Sequence, residues 1–549
     1  MKTTAGTTVG WLAMMSLASA TAGAAPAPTG TISVTVLEAG RDDPLPCRAW
    51  VDAGGKRHHK PQADTAAPYP RDRSFSCDGR FTIDLPAGRA VVHVERGKEY
   101  VPVDREVTVV PGETTELTIT LSRWIHMKQE GWYSSDLHVH FGHDRPAVLE
   151  QLVLADDVNL LPSFSYWNHF EKEWPPFARP RTVAVGPAYL ITRANEEIER
   201  IGGPPFHSVG ALFIFGLDKP VHVPRHDHTY PCDAALARIA KRTSPECVID
   251  TDKPLWAENV VTMALGLFDS VQVCHNHAHR LATFGNGGLC CGMADDSIEE
   301  EHHDWAGDEL FIRTNRVYYR WLNCGFKLAA SGGSAMGVMP VPLGYSRTYA
   351  ELDGPLTESN YLAAIRRGNT FATSGPMLTM TANGQPMGTT IKYPTTTRGP
   401  LTVRSRLRSI DKLEAYEVVH DGRVIQRIAL TDSEPSPVLD RTFETKLVPV
   451  RSGWVATRAI FRAPDGHLRQ AHTSPVYIDV DGKPIASRRD AAYMIRWIDR
   501  LIEVSETPDR YKSQSDRAEA QALFREARQV YQRIARTATE VWGDAAGAN

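Results

Sequence analysis

Two alternating histidines stand out in the segment Asp136-Leu137-His138-Val139-His140. Successive side chains of a β-strand point to opposite faces, so Asp136, His138 and His140 would share one face and the apolar residues between them the other. Two imidazoles and a carboxylate would then converge on one point, and borderline metals such as zinc accept this set of nitrogen and oxygen ligands. The alternative is a pair of core or surface histidines that happen to alternate.

A second histidine-rich run, Cys274-His275-Asn276-His277-Ala278-His279-Arg280, lies further along the chain. It follows Phe268–Val273, a pattern typical of a short buried strand. Catalytic groups of α/β barrels lie at strand ends, so three alternating histidines at this place favour a functional site. A solvated polar loop is the alternative.

Composition limits the classes of protein to which the chain can belong. Its 549 residues predict three or four domains, and a content of 42% hydrophobic and 23% charged residues is typical of a soluble globular protein. The net charge of -4 comes without any basic run, so no nucleic-acid partner is expected.

Residues 1–24 have the pattern of a secretory signal peptide. Lys2 supplies the positive charge, Val9–Ala20 the short apolar run and Ala22-Gly23-Ala24 the cleavage site. The apolar run is too short to span a bilayer, and no later stretch is long and apolar enough to do so. We therefore expect an exported protein, periplasmic or extracellular, without a transmembrane segment.

Eight cysteines in an exported chain permit disulfide bonds. Cys47 and Cys77 lie in one small predicted β-domain and are expected to pair. Cys232 and Cys247 could close a loop, and the adjacent Cys290-Cys291 could bind metal or form a bridge.

Hydropathy patterns divide the mature chain into four regions. Period-two alternation between Pro-Gly turns predicts a β-sandwich over residues 25–122. Over residues 123–375, apolar runs alternate with helical patterns, including a charged helix over Ala194–Ile201, which predicts a mostly parallel sheet or a barrel. Residues 376–482 predict a second β-sandwich, and residues 483–549 carry two apolar stripes at helical spacing, which predict a helical tail.

Over most of its length the chain resembles a family through several short motifs. They are Leu85-Pro86-Ala87-Gly88 with Val94–Tyr100, Asp136–His140, Asn195–Arg200, Asn276-His277 with Arg280, Leu322–Phe326 and Thr373–Pro376. These motifs resemble exported metallohydrolases of the carbaryl hydrolase (CehA/McbA) family, part of the PHP (polymerase and histidinol phosphatase) superfamily. The resemblance implies an α/β fold: a distorted (β/α) barrel of the PHP type between the two β-sandwiches, with divalent metals at the C-terminal ends of its strands.

The same resemblance implies a set of metal ligands. His138, His140 and His277 match ligand positions, and Glu197 is the preferred carboxylate of the Glu196-Glu197 pair. The alternative for Glu197 is a charge on the face of a helix.

Two motifs of the PHP superfamily are replaced in this chain. Ser165-Tyr166-Trp167-Asn168, followed by His169, stands where Thr-Asp-His-Asn is usual, and Ala335-Met336-Gly337 stands where Asp-x-His usually follows Gly-Ser. Three explanations are open. The centre could hold fewer metals, it could recruit His169, His275 or His279, or the protein could have lost catalysis.

Together these patterns predict an exported hydrolase that uses zinc or manganese to cleave an ester, carbamate or phosphoester bond of a small-molecule substrate. Asp136 would orient a ligating imidazole, since such rings usually bond a further carboxylate. His275 or His279 would move protons, and Arg280 would hold a substrate oxyanion. The competing interpretation is a non-catalytic exported protein that binds a glycan or a cell-surface partner through a degenerate barrel.

We predict that the mature protein starts near Ala25, because the cleavage site directly follows the apolar run. N-terminal sequencing of the exported protein checks this, and an intact Met1 in the exported form would contradict it.

Overall fold

The computed structural model describes residues 28–62, 67–69, 72–140, 146–168, 177, 179–201, 208–223, 226–227, 229–284, 307–396, 399–430 and 438–538. Strands contain 41% and helices 22% of the described residues, so the fold is mostly β. The predicted signal peptide, His169 and Cys290-Cys291 lie outside the described residues.

Two sheets form the N-terminal region and enclose one apolar core. Their strands are β1 (Thr29–Glu38), β2 (Cys47–Ala53), β3 (Lys56–His58), β4 (Ala67–Tyr69), β5 (Ser74–Cys77), β6 (Arg80–Pro86), β7 (Gly88–Glu95), β8 (Val103–Val109) and β9 (Thr114–Leu121). One sheet has the order β6-β1-β9 and the other β4-β5-β2-β7-β8, with β3 beside β2. Alternate residues of β1, among them Ile32 and Val34, point into the core because a strand buries every second side chain.

The middle region begins after a 3-10 turn at Met127–Glu130 and carries most of the described short helices. Its elements are β10 (Trp132–Ser135), α1 (Pro146–Ala155), β11 (Leu160–Trp167), β12 (Thr182–Val185), β13 (Tyr189–Ile201), β14 (Ser208–Phe215), α2 (Asp233–Thr243), β15 (Val248–Asp250), α3 (Asn259–Ala264), β16 (Ser270–Cys274), α4 (Glu309–Asn323), β17 (Ala329–Gly332), β18 (Arg347–Glu351), α5 (Glu358–Arg367) and β19 (Thr370–Thr373).

The C-terminal region is a further set of strands followed by two long helices. They are β20 (Met377–Ala382), β21 (Gln385–Pro386), β22 (Thr390–Lys392), β23 (Leu401–Ser409), β24 (Ala415–His420), β25 (Arg423–Ala429), β26 (Leu439–Leu447), β27 (Gly453–Arg462), β28 (Leu468–Thr473), β29 (Val476–Asp479), α6 (Arg488–Ser505) and α7 (Gln514–Thr537). A small sheet of order β21-β20-β23-β26 packs on β24 and β27–β29 around an apolar core.

The predicted PHP-type (β/α) barrel is wrong. The middle strands belong to one large sheet of order β17-β16-β15-β14-β13-β11-β10-β18-β19-β28-β27-β24-β25, which is open among the described strands and has β17 and β25 at its ends. Antiparallel pairs such as β13–β14, β14–β15 and β10–β18 interrupt the parallel ones. A (β/α) barrel needs a crossover helix after every strand, and no described helix separates β13 from β14.

The helix predicted over Ala194–Ile201 is also wrong, because this segment forms the second half of β13. Its glutamates and arginine favour a helix by intrinsic propensity. In the fold, however, β11 and β14 pair with β13 on its two sides, and this pairing overrides the local preference.

The two predicted C-terminal helices are confirmed as α6 and α7. The Ser487 hydroxyl caps α6 by accepting a hydrogen bond from the Asp490 backbone N–H. Trp497 of α6 donates its indole N–H to the Ala257 carbonyl at 3.1 Å, which attaches the helices to the middle region. Among the described residues, no helix is long and apolar enough to cross a membrane.

We predict that Cys47 and Cys77 are oxidised in the mature protein. They lie directly opposite each other on β2 and β5, both are buried, and their Sγ atoms are 3.6 Å apart. Replacing both with alanine should lower the free energy of unfolding by ~2–4 kcal/mol, measured by urea denaturation. A reductant should lower the free energy of unfolding of the native protein and leave that of the double variant unchanged. Two free thiols in non-reducing peptide mapping would contradict the prediction.

Candidate metal centre

His138 and His140 follow β10 in an extended segment that lies between β11 and the residues after β17. Leu137 donates its backbone N–H to the Gly332 carbonyl at 3.3 Å, and His140 donates to Met336 at 2.9 Å. Leu137 and Val139 are fully buried in apolar clusters on the opposite face. The alternation expected from the sequence therefore holds, and both imidazoles point to one side.

Three side chains converge at this point. The Nε2 atoms of His138 and His140 are 2.8 Å apart, and Glu197 Oε2 lies 3.8 Å from the first and 3.1 Å from the second. One ligand atom from each of the three residues lies within 4.8 Å of those of the other two. Glu197 reaches the histidines because β13 is the parallel neighbour of β11.

The three side chains are only 2–3% exposed, and aromatic rings enclose them. The Phe213 ring lies 4.3 Å from the His138 ring, and the Trp167 ring lies 4.1 Å from the His140 ring. Burial and the neighbouring His140 hold the pKa of His138 well below its usual range, so the imidazole is neutral and its lone pair is available to a metal.

Glu197 shows that these residues fit a cation. Its Oε2 atom is buried and accepts no hydrogen bond from the described residues. Burial, with Glu199 and Asp252 nearby, raises the pKa of Glu197 well above its usual range. A divalent ion would supply the missing positive charge, and two imidazole nitrogens with one carboxylate oxygen are a ligand set that zinc accepts. The cluster could therefore bind a metal ion.

Sequence reasoning missed a second group of buried charges beside this cluster. Asp252 Oδ1 lies 3.5 Å from His138 Nδ1, and Asp252 also binds the ammonium group of Lys253. Glu199 lies two residues after Glu197 on the same face of β13. Burial and the charge of Asp252 raise the pKa of Glu199, while the charge of Lys253 lowers it. The period of two over Asn195–Arg200 could have indicated Glu199, whereas no local pattern marks Asp252 or Lys253.

Asp136 binds backbone rather than an imidazole. Its Oδ1 accepts the N–H groups of His138 at 3.1 Å and Ser334 at 2.9 Å, and its Oδ2 accepts that of Gly344 at 2.7 Å. Burial raises the pKa of Asp136 to about 6, against the effect of these hydrogen bonds. Asp136 therefore fixes the backbone that presents His138, and does not orient a ring directly.

His275, His277 and His279 do not join the three-residue cluster. His275 Nε2 lies 2.9 Å from the Thr314 hydroxyl, and its Nδ1 accepts the His277 backbone N–H at 3.3 Å, so both of its nitrogens are occupied. The His277 ring packs edge-on against Trp256 at 5.8 Å, and His279 Nδ1 accepts the Leu281 N–H. His277 lies close enough to lower the pKa of His138 through its charge.

Arg280 binds an acidic residue of the N-terminal region. Its guanidinium makes two hydrogen bonds to the Glu95 carboxylate, at 2.9 and 2.5 Å, and lies 5.7 Å from the Trp50 ring. Together with Lys98 it lines a cavity of about 230 Å³ to which the N-terminal, middle and C-terminal regions all contribute residues. The ion pair with Glu95 joins two regions of the chain, and the oxyanion role expected from the sequence stays a prediction.

Comparisons with known proteins assign no role to this site. No protein-family model and no curated protein matches the chain. Among solved structures, GBS52, the minor pilin of Streptococcus agalactiae, is similar at 18% identity with a TM-score of 0.15, over 18% of this chain and 46% of that one. The Bacillus anthracis TIE protein is similar at 9% identity with a TM-score of 0.14, over 82% of this chain and 50% of that one. The chain matches about half the length of each, and these scores support no conclusion on fold or function.

We predict that Asp136→Asn lowers the free energy of unfolding by about 1–3 kcal/mol, because an amide has only one acceptor oxygen and leaves a buried N–H group unsatisfied. Chemical denaturation at neutral pH measures the loss. Asp353→Asn is the matched control, since the Asp353 side chain is 84% exposed. Equal stability of the two variants would show that the buried hydrogen bonds contribute nothing.

Proposed function

We propose that the protein is a metal-dependent hydrolase with His138, His140 and Glu197 as ligands of a divalent ion, zinc or manganese. The observation that carries this proposal is the convergence of the three ligand atoms in one buried cluster. The resemblance in the sequence motifs favours an exported protein that cleaves ester, carbamate or phosphoester bonds of a small molecule.

Each part of the cluster would contribute to such a reaction. A bound divalent ion lowers the pKa of its water and polarises the bond to be cleaved. The imidazoles of His138 and His140 would hold the ion, while Glu197 would supply one negative charge. Phe164, Phe213 and Trp167 surround the imidazoles and keep bulk water from the ligand atoms. The exclusion of water strengthens each electrostatic contact in the site.

We predict that His138→Ala and His140→Ala each lose both the bound metal and the hydrolytic activity, because each removes one of three ligands. Metal content per chain is measured by elemental analysis after reconstitution with zinc or manganese. Hydrolysis is measured on panels of esters, carbamates and phosphoesters. His277→Ala should retain the metal, since His277 lies outside the three-residue cluster.

His126→Ala serves as the matched control, because His126 is exposed and lies outside the three-residue cluster. If His138→Ala and His140→Ala keep full metal occupancy, the ligands are assigned wrongly. If the wild-type protein stays free of metal and inert after reconstitution, the competing interpretation of a non-catalytic binding protein replaces this one.

A further inference from the structure

Lys253 places a buried positive charge beside the candidate metal ligands. It follows Asp252 just after β15, and only 4% of the residue is exposed. Its Nζ atom lies 2.7 and 2.6 Å from the two Asp252 oxygens and 5.0 Å from the centre of the Trp256 ring. Charge-assisted hydrogen bonds of this length, made in a buried place, hold the ammonium group firmly.

Asp252 connects this ammonium to the metal ligands. One of its oxygens lies 3.5 Å from His138 Nδ1, the ring nitrogen that faces away from Glu197. The other oxygen also accepts the Trp256 indole N–H at 2.9 Å. The Asp252 carboxylate is thus fixed between the ammonium, the indole and a ligand imidazole.

Several buried charged side chains surround the candidate centre. Three carboxylates influence one another electrostatically, those of Glu197, Glu199 and Asp252, and each residue is no more than 8% exposed. The ammonium of Lys253 lowers the pKa of both glutamates, against the effect of burial. The Asp252 carboxylate is therefore already paired with a cation, whereas Glu197 Oε2 accepts no hydrogen bond from the described residues.

We propose that the Lys253 ammonium, held by Asp252, takes the place of a second cation and limits the centre to one divalent ion. This inference rests on the proposed function, because it concerns the same site. A second divalent ion near Asp252 would have to displace the ammonium from both carboxylate oxygens or lie beside it, and repulsion between like charges in a buried place opposes the latter. The sequence had left open whether the replaced motifs mean fewer metals, and Lys253 offers a physical reason for a single ion.

Replacing Lys253 tests the proposal through metal binding rather than activity. In the full-length protein, stripped with a chelator and reconstituted with Zn²⁺, the wild type should hold one ion per chain by elemental analysis. Lys253→Met removes the charge at similar side-chain length, so it should bind a second ion or bind the first about tenfold more tightly. Lys253→Arg keeps the charge and should stay at one ion with an affinity close to that of the wild type.

The double variant Asp252→Asn with Lys253→Met is the matched control, because removing one charge of each sign leaves the net charge unchanged. It should hold one ion. The wild type itself provides a measurement that needs no variant: with an excess of Mn²⁺ over chains, its electron paramagnetic resonance spectrum should show a single uncoupled ion. This measurement decides the matter if Lys253→Met does not fold.

The outcomes separate this proposal from the function on which it rests. A wild type that binds no metal overturns the proposed function. A wild type that holds a spin-coupled pair of Mn²⁺ ions keeps the proposed function and overturns the role of Lys253. A folded Lys253→Met variant that holds one ion with unchanged affinity also overturns that role.

Discussion

The buried Asp136 carboxylate is the contact on which the candidate centre depends. It joins three separate segments of the chain through the backbone N–H groups of His138, Ser334 and Gly344. Gly333 allows this approach, because a Cβ atom there would lie 2.5 Å from the Cβ of His138. The imidazoles can be presented together only when these segments are in contact, so the centre forms with the tertiary fold and not before it.

Strand β13 places charged residues on both of its faces, and each face has its own partners. Glu197 turns to the histidines, while Arg200 on the other face binds Asp233 at 3.0 Å and Glu258 at 2.6 Å. A buried charge is tolerated when it is paired and hydrogen-bonded. The arginine is paired inside the protein, whereas Glu197 Oε2 accepts no hydrogen bond from the described residues, so it is this face of the strand that could hold a metal ion.

The sequence predicts the local features of this protein better than its long-range ones. The alternation of His138 and His140 follows from strand geometry and needs no knowledge of the fold. Asp252 and Lys253 were missed because they reach the site through the pairing of β15 with β14 and β16, which no local pattern reveals. The barrel was expected from the alternation of strand and helix patterns and from the family resemblance, and the helical propensity of Ala194–Ile201 contributed to that alternation. Arg280 was expected at the site from its place in the histidine-rich run, and no local pattern reveals its partner Glu95, which lies 185 residues away.

The large sheet continues without a break from the middle region into the C-terminal one. Strand β19 pairs with β18 on one side and with β28 on the other, and Phe371 packs in the same apolar cluster as Leu378. A gene fragment ending at residue 375 would therefore encode a protein with an open strand edge and an uncovered apolar surface, two features that promote aggregation. The C-terminal region is therefore not an independent module, because the sheet of the middle region continues into strands that follow it in the chain.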